Sequence, residues 1–96
     1  MEIRATVKLV GETKTGVSQR TGNEWKSCSV MLEWIDSEGT HRVWGNLFNQ
    51  EVDDFDQQGF KAGDEAMVRL IFTSRSFASG FVSNNVEIVE INKINQ

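Results

Sequence analysis

The chain has 96 residues, 39% of them apolar and 25% charged, and a formal net charge of −4. This length predicts a single domain over residues 1–96 with one modest core, and it excludes a multidomain enzyme. Apolar runs of only a few residues exclude a membrane span, and we expect neither a signal peptide nor a membrane partner. One cysteine, Cys28, cannot form an internal disulfide, as is typical of a cytoplasmic protein.

The N-terminal segment alternates apolar and polar residues, which predicts a half-buried strand of about ten residues. Its inward positions are expected to be Ile3, Ala5, Val7 and Leu9. The segment 13–23 is rich in polar and turn-forming residues, so we expect either a loop or a flexible hairpin extension there.

A second strand is predicted over 24–35, with Cys28, Val30 and Leu32 on its core side. The turn 36–39 leads into a third strand from His41 to about residue 47, so that the second and third strands form a hairpin. Gly45 inside the third strand indicates a bulge or a sharp coil.

A short helix is predicted near 49–58 from the spacing of Phe48, Val52 and Phe55. Asn49 is the expected N-cap, and Gly59 suits a left-handed C-terminal stop. The apolar face of this helix is expected to close the bottom of a barrel. A fourth strand follows from residues 63–64 to 73, and residues 78–80 turn the chain into a fifth strand over 81–91.

The order β-β-β-α-β-β within so short a chain is that of an all-β fold, the five-stranded OB-fold barrel with one short helix between strands 3 and 4. This architecture binds oligonucleotides, oligosaccharides or other proteins. The fold therefore does not settle the function, and the ligand must be inferred from side chains on the binding face.

The acidic residues are concentrated in one segment. Residues 1–50 carry no net charge, residues 51–65 carry −5, and residues 66–96 carry +1. The acidic segment contains the predicted helix, which lies away from the usual ligand groove of an OB-fold. A locally basic groove is therefore compatible with an acidic protein, because the other strands and loops contribute Lys14, Arg20, Lys26, Arg42, Arg69 and Arg75.

Aromatic side chains accompany these cations. Trp25 and Trp44 alternate with the predicted core residues, and Phe77 and Phe81 flank the turn between strands four and five. Flat rings beside cations are typical of surfaces that bind single strands, because bases stack on the rings while cations contact phosphates. A subunit interface or ordinary packing would also use such rings, and both alternatives stay open. The candidate nucleic-acid-binding residues are Lys14, Arg20, Trp25, Lys26, Arg42, Trp44, Arg75, Phe77 and Phe81.

The segments 41–48, 49–58 and 63–77 resemble bacterial single-stranded DNA-binding proteins, in which an arginine and an aromatic residue close strand four. The resemblance implies that Arg42 and Phe77 lie in the groove. Two further motifs resemble an uncharacterised family of short bacterial OB-fold domains: Thr-Gly-x-Glu-Trp-Lys at 21–26 and Ser-Arg-x-aromatic-x-x-Gly-aromatic at 74–81. The Pro/Gly-rich linker and acidic tip of typical single-stranded DNA-binding proteins do not follow strand five, so we do not expect partner recruitment through such a tail.

No catalytic constellation is visible. His41 is the only histidine, and it lacks the neighbouring cysteine or histidine of a metal or nucleophile site, so a core or edge role is expected. We therefore expect no enzymatic activity, no metal and no cofactor.

The sequence predicts a protein that binds single-stranded DNA or RNA, or alternatively a protein-interaction or assembly module on the same fold. It also predicts a homo-oligomer, a dimer or tetramer. Apolar residues of the terminal strands are expected at an exposed edge, namely Ile3, Val7, Leu9, Val86 and Ile88.

Overall fold

The computed structural model describes residues 1–94, except for the side chain of Arg75. Residues 1–94 contain six strands and one helix. They are β1 (Glu2–Val10), β2 (Lys14–Val17), β3 (Glu24–Asp36), β4 (Gly39–Phe48), α1 (Gln50–Gln58), β5 (Glu65–Ser76) and β6 (Val82–Lys93).

Five of these strands form a closed barrel. β1 pairs antiparallel with both β3 and β5, β3 pairs with β4, and β5 pairs with β6. A parallel bridge between Asn46 of β4 and Glu87 of β6 closes the ring. The predicted OB-fold is therefore confirmed, with its helix between the third and fourth strands of the barrel. The short β2 pairs with the beginning of β3, so the segment 13–23 forms the hairpin extension rather than a plain loop.

The barrel interior contains the alternating apolar residues of the strands. Val30, Leu32 and Cys28 are buried almost completely, as the alternation predicted, and so are Val68 and Leu70 of β5. Val52 and Phe55 of α1 join this core from below, and the rings of Phe55 and Phe60 stack at 4.8 Å. The helix thus closes the bottom of the barrel. Among residues 1–94, no helix is long and apolar enough to cross a membrane.

The predicted inward position of Leu9 is wrong. The register between β1 and β3 shifts between Val7 and Leu9, so Lys8 is an extra residue that reverses the alternation. Leu9 is consequently paired with Met31 on the outer surface, where it is 53% exposed.

The predicted apolar edge is also wrong in part. Val7 and Ile88 are fully buried, because β1 and β6 each pair with strands on both sides. Ile3 and Val86 pack partly against the core. Of the residues expected at that edge, only Leu9 is largely exposed.

The start of the helix differs from the prediction. Phe48 is the last residue of β4 and is exposed, rather than part of the helix face. The Asn49 side chain does not cap α1 and instead accepts a hydrogen bond from the backbone N–H of Lys26 at 3.1 Å. The C-terminal end is as predicted, because Gly59 adopts the left-handed conformation with φ of 67°.

Gly45 marks close packing rather than a bulge. The register between β3 and β4 runs without interruption through Gly45. A Cβ atom at this position would stand 2.6 Å from Cγ1 of Ile88, which is a severe overlap. Gly45 therefore leaves the space that Ile88 occupies inside the barrel.

Candidate nucleic-acid interface

The outward residues of β3 and β4 form one continuous surface, called here the outer face. They alternate with the buried residues, because successive side chains of a strand point to opposite sides. Three cross-strand pairs make up its centre, namely Ser27 with Phe48, Ser29 with Asn46, and Met31 with Trp44. Leu9 of β1 lies beside Met31, so apolar side chains occupy part of this surface.

The β2–β3 hairpin extends the outer face at one end. Lys14 pairs with Ser27, and Gly16 pairs with Trp25. Since Ser27 and Trp25 are outward residues of β3, both pairs belong to the outer face. The Trp25 indole lies against the Gly16 backbone and still exposes a large part of its surface. A stacking ring at this position is available to a ligand.

Two exposed cations, Lys14 and Arg20, belong to this hairpin. Neither makes an ion pair within 4 Å among the residues that the structure describes. No described carboxylate therefore neutralises their charges, and they are available to bind an anion on this hairpin.

Lys26 and Arg42, in contrast, each form an ion pair with a carboxylate. Lys26 has the parity opposite to Trp25, and its Nζ donates to Asp53 of α1 at 2.7 Å, which raises the pKa of that ammonium. The structure thus directs Lys26 to the helix side, away from the outer face. Arg42 lies on the outer face, but its Nε donates to Glu33, and this hydrogen bond lowers the pKa of the Glu33 carboxyl.

The β5–β6 hairpin carries the second group of aromatic residues. Phe77 and Phe81 form the last pair of this hairpin, with ring centroids 5.8 Å apart. Gly80 has a φ of 88°, which allows the tight turn between them. Arg75 pairs through its backbone with Ser83, and its side chain lies outside the described part of the structure.

A groove of about 500 Å³ lies between β4 and the β5–β6 hairpin, and we call it the arm groove. Aromatic, amide, hydroxyl and carboxylate groups line it together. Its main lining residues are Asn46, Phe48, Thr73, Phe77, Asn85 and Glu87. The groove joins the outer face because Asn46 and Phe48 belong to both.

The structure thus brings together most of the predicted site residues. Lys14, Trp25 and Trp44 share the outer face, Arg20 lies in the turn of the β2–β3 hairpin, and Phe77 and Phe81 lie beside the arm groove. Together with Phe48, the four aromatic residues of this set expose between 41% and 63% of their surface.

Phe48, Asn46 and Glu87 were not among the predicted binding residues. Asn46 has the parity of Trp44 in β4, and this local signal does place it on the outer face. Glu87 carries no such signal, because it reaches the site through the parallel bridge between two strands that are distant in sequence.

The nucleophilic and imidazole groups of the chain are held in structural contacts. The Cys28 thiol is buried, and burial raises its pKa. His41 Nε2 lies 2.9 Å from Asp36 Oδ1, a contact that lowers the pKa of this carboxyl, and the imidazole stacks on Trp34. His41 is thus partly exposed and contacts both Asp36 and Trp34.

Comparison with known structures supports the same architecture. The second OB-fold domain of replication protein A from Methanococcus maripaludis is similar, with a TM-score of 0.64 and 23% identity over 99% of this chain and 83% of that domain. The small single-stranded DNA-binding protein from Streptomyces coelicolor matches with a TM-score of 0.45 and 15% identity, over 98% and 94% of the two chains. The first likeness shows the OB-fold.

No protein-family model and no curated protein matches the chain. Membership of the family of short bacterial OB-fold domains therefore stays a prediction from the two sequence motifs.

Proposed function

We propose that this protein binds single-stranded nucleic acid, DNA or RNA, and does no chemistry on it. One observation carries the proposal. Five exposed aromatic side chains lie on the outer face and along the arm groove, and the β2–β3 hairpin adds two cations that have no ion-pair partner among the described residues. They are Trp25, Trp44, Phe48, Phe77 and Phe81, with Lys14 and Arg20.

Aromatic rings on a surface favour a single strand over a duplex. Bases in a duplex already stack on each other, whereas the bases of a single strand are available to stack on protein rings. Each stacked base contributes about 1–3 kcal/mol. Two or three such contacts supply substantial affinity without a large number of cations.

The distribution of charge also supports this surface. Carboxylates of α1 lie at the bottom of the barrel, and Asp53 there neutralises Lys26. Lys14 and Arg20 remain available on the β2–β3 hairpin. Cations that contact phosphate release counterions, so binding should be strongest at low salt, and the small number of cations should make the salt dependence shallow.

Fluorescence titration with an oligothymidylate of about 12 nucleotides tests the proposal, since a single OB-fold covers about 4–16 nucleotides. Stacking should quench tryptophan emission, and a duplex of the same length should bind more weakly. Replacing both Lys14 and Arg20 by Ala should reduce the slope of log K against log salt by about 0.7 for each lost phosphate contact.

Lys61→Ala is the matched control, because Lys61 follows α1 and also has no ion pair within 4 Å among the described residues. Like each of the two substitutions in the double variant, Lys61→Ala removes one positive charge, but from a place outside the outer face, and its slope should equal that of the wild type. Absence of binding to DNA and RNA single strands at low salt would reject the proposed function.

We also propose that the protein forms a homo-oligomer, a dimer or tetramer. Phe72 and Val82 support this proposal, because both are more than half exposed on the side of the β5–β6 hairpin opposite to Phe77. Exposed apolar side chains of this kind favour contact with a second protein surface. Native mass spectrometry at micromolar concentration should show a species of twice or four times the 10.9 kDa chain mass, and only the monomer would contradict it.

A further inference from the structure

We propose that the arm groove recognises a guanine base within the bound single strand. This inference rests on the proposed function and adds a base preference to it. It comes from the pairing of Asn46 with Glu87, which places an amide and a carboxylate side by side on the wall of the groove.

The Asn46 amide presents donors to the groove. Its Oδ1 accepts a hydrogen bond from Ser29 Oγ at 2.8 Å, which fixes the orientation of the amide. Its NH₂ group has no hydrogen-bond partner among the residues that the structure describes. This group is therefore available to donate to an acceptor on a ligand.

The Glu87 carboxylate presents acceptors beside these donors. It makes no ion pair within 4 Å with any described side chain. It lines the groove, and its side chain is half-buried there. An ionised carboxylate repels phosphate, so this part of the surface suits a base rather than the backbone of the strand. It accepts hydrogen bonds from ligand N–H groups.

A donor next to a carboxylate matches the Watson–Crick edge of guanine. That edge presents an acceptor, O6, followed by two donors, N1–H and the N2 amino group. Asn46 would donate to O6, while Glu87 would accept from N1–H and N2–H. Thymine places a second carbonyl oxygen against the carboxylate, and adenine and cytosine place a ring-nitrogen acceptor next to their amino group, so none of them offers two adjacent donors.

The groove also offers room and stacking surface for a base. Its volume of about 500 Å³ lies within the range of pockets that bind small molecules, roughly 300–1,000 Å³. Phe48 and Phe77 line the same groove as Asn46 and Glu87. Aromatic side chains hold splayed bases by stacking while polar groups read their edges.

The test compares oligothymidylates of about 12 nucleotides that carry one central deoxyguanosine, deoxyinosine or deoxyadenosine. The deoxyguanosine strand should bind about 5- to 100-fold more tightly than oligothymidylate, as expected for one bidentate contact. Deoxyinosine lacks the N2 amino group and should fall between the two, and deoxyadenosine should show no gain.

Glu87→Gln should remove most of the guanine preference, measured as the ratio of the affinities for the deoxyguanosine strand and for plain oligothymidylate. Glu90→Gln is the matched control, because it removes the same charge from β6 at a residue that pairs with Arg69 outside the arm groove. Its guanine preference should equal that of the wild type. Circular dichroism checks that both variants are folded.

Equal affinity for the three substituted strands and plain oligothymidylate would overturn the guanine inference and leave the proposed function standing. An unchanged guanine preference in Glu87→Gln would overturn the role of Glu87. If no strand bound, the proposed function itself would fail, and the two failures are thus distinguishable.

Discussion

The indole of Trp25 rests on the backbone of Gly16, its cross-strand partner in the β2–β3 hairpin. A Cβ atom added at Gly16 would stand 2.5 Å from Cζ2 of the indole, well inside contact distance. The absent side chain of Gly16 therefore determines where the Trp25 ring lies. Aromatic residues often cover a strand glycine in this way, and the ring then becomes a fixed part of the sheet surface.

Gly16→Ala should displace this ring, because the indole and a methyl group cannot occupy the same space. We expect weaker binding of an oligothymidylate, by up to about 1–3 kcal/mol, the contribution of one stacked base. Fluorescence titration measures the change. Thr15→Ala is the control, because Thr15 precedes Gly16 in β2 and points to the opposite face; this variant should bind like the wild type. Equal affinity of the two variants would show that the position of Trp25 does not matter.

The two faces of the β5–β6 hairpin provide a second comparison. Phe77 lines the arm groove, whereas Phe72 is 56% exposed and has the opposite parity in β5. Phe77→Ala should weaken binding of a single strand by about 1–3 kcal/mol, and Phe72→Ala should leave it unchanged. Equal losses in both variants would indicate that the whole hairpin, rather than its groove side, contacts the ligand.

Gly45 and Ile88 provide a test of the barrel interior. Gly45→Ala should destabilise the fold by about 1–3 kcal/mol, because the new methyl group overlaps Ile88. Combining it with Ile88→Val removes one carbon from the same space and should recover part of this loss, as neighbouring residues are energetically coupled. Chemical denaturation measures both. Strictly additive losses would mean that the two residues do not compete for space.

Acid sensitivity is expected at Asp64. Its carboxylate accepts from the backbone N–H of Lys61 and pairs with Lys93 at 3.2 Å, and these contacts lower its pKa below the ordinary 3.8. Stability from a lowered carboxyl pKa is present above the ordinary value and is lost as the pH falls through the lowered one.

Asp64→Asn should therefore reduce Tm near neutral pH, and the difference from the wild type should narrow as the pH falls below 3.8. Thermal melts across this range measure it. Asp56→Asn, which removes an exposed α1 carboxylate without an ion pair among the described residues, should change Tm much less. A constant difference at every pH would contradict the assigned role of Asp64.

Local patterns in the sequence predicted the barrel and much of the outer face. The alternation in β3 placed Val30 and Leu32 inside and Trp25 outside, because period-two burial is a local property of a strand. The bulge at Lys8 was not visible in the same way, since Leu9 continues the apolar alternation and only pairing with β3 shows the register shift.

Contacts between distant segments were not visible in the sequence. The Lys26 ammonium binds Asp53 of α1, which follows β4, and is thereby directed away from the outer face on which Trp25 lies. Asn49 is of a residue type that often caps helices, yet its side chain accepts a hydrogen bond from the backbone N–H of Lys26 instead. Glu87 enters the arm groove through a single parallel bridge. Such contacts depend on how the barrel closes, which no short window of sequence contains.

Binding of single strands on the outer face can be measured directly, because the chain has three tryptophans in different places. Each indole N–H gives one signal in a ¹H–¹⁵N NMR spectrum. Trp25 and Trp44 lie on the outer face, whereas Trp34 packs against the core and stacks on His41. On addition of an oligothymidylate at low salt, the signals of Trp25 and Trp44 should shift or broaden while that of Trp34 stays in place. A spectrum in which only Trp34 responds, or none of the three, would contradict binding on the outer face.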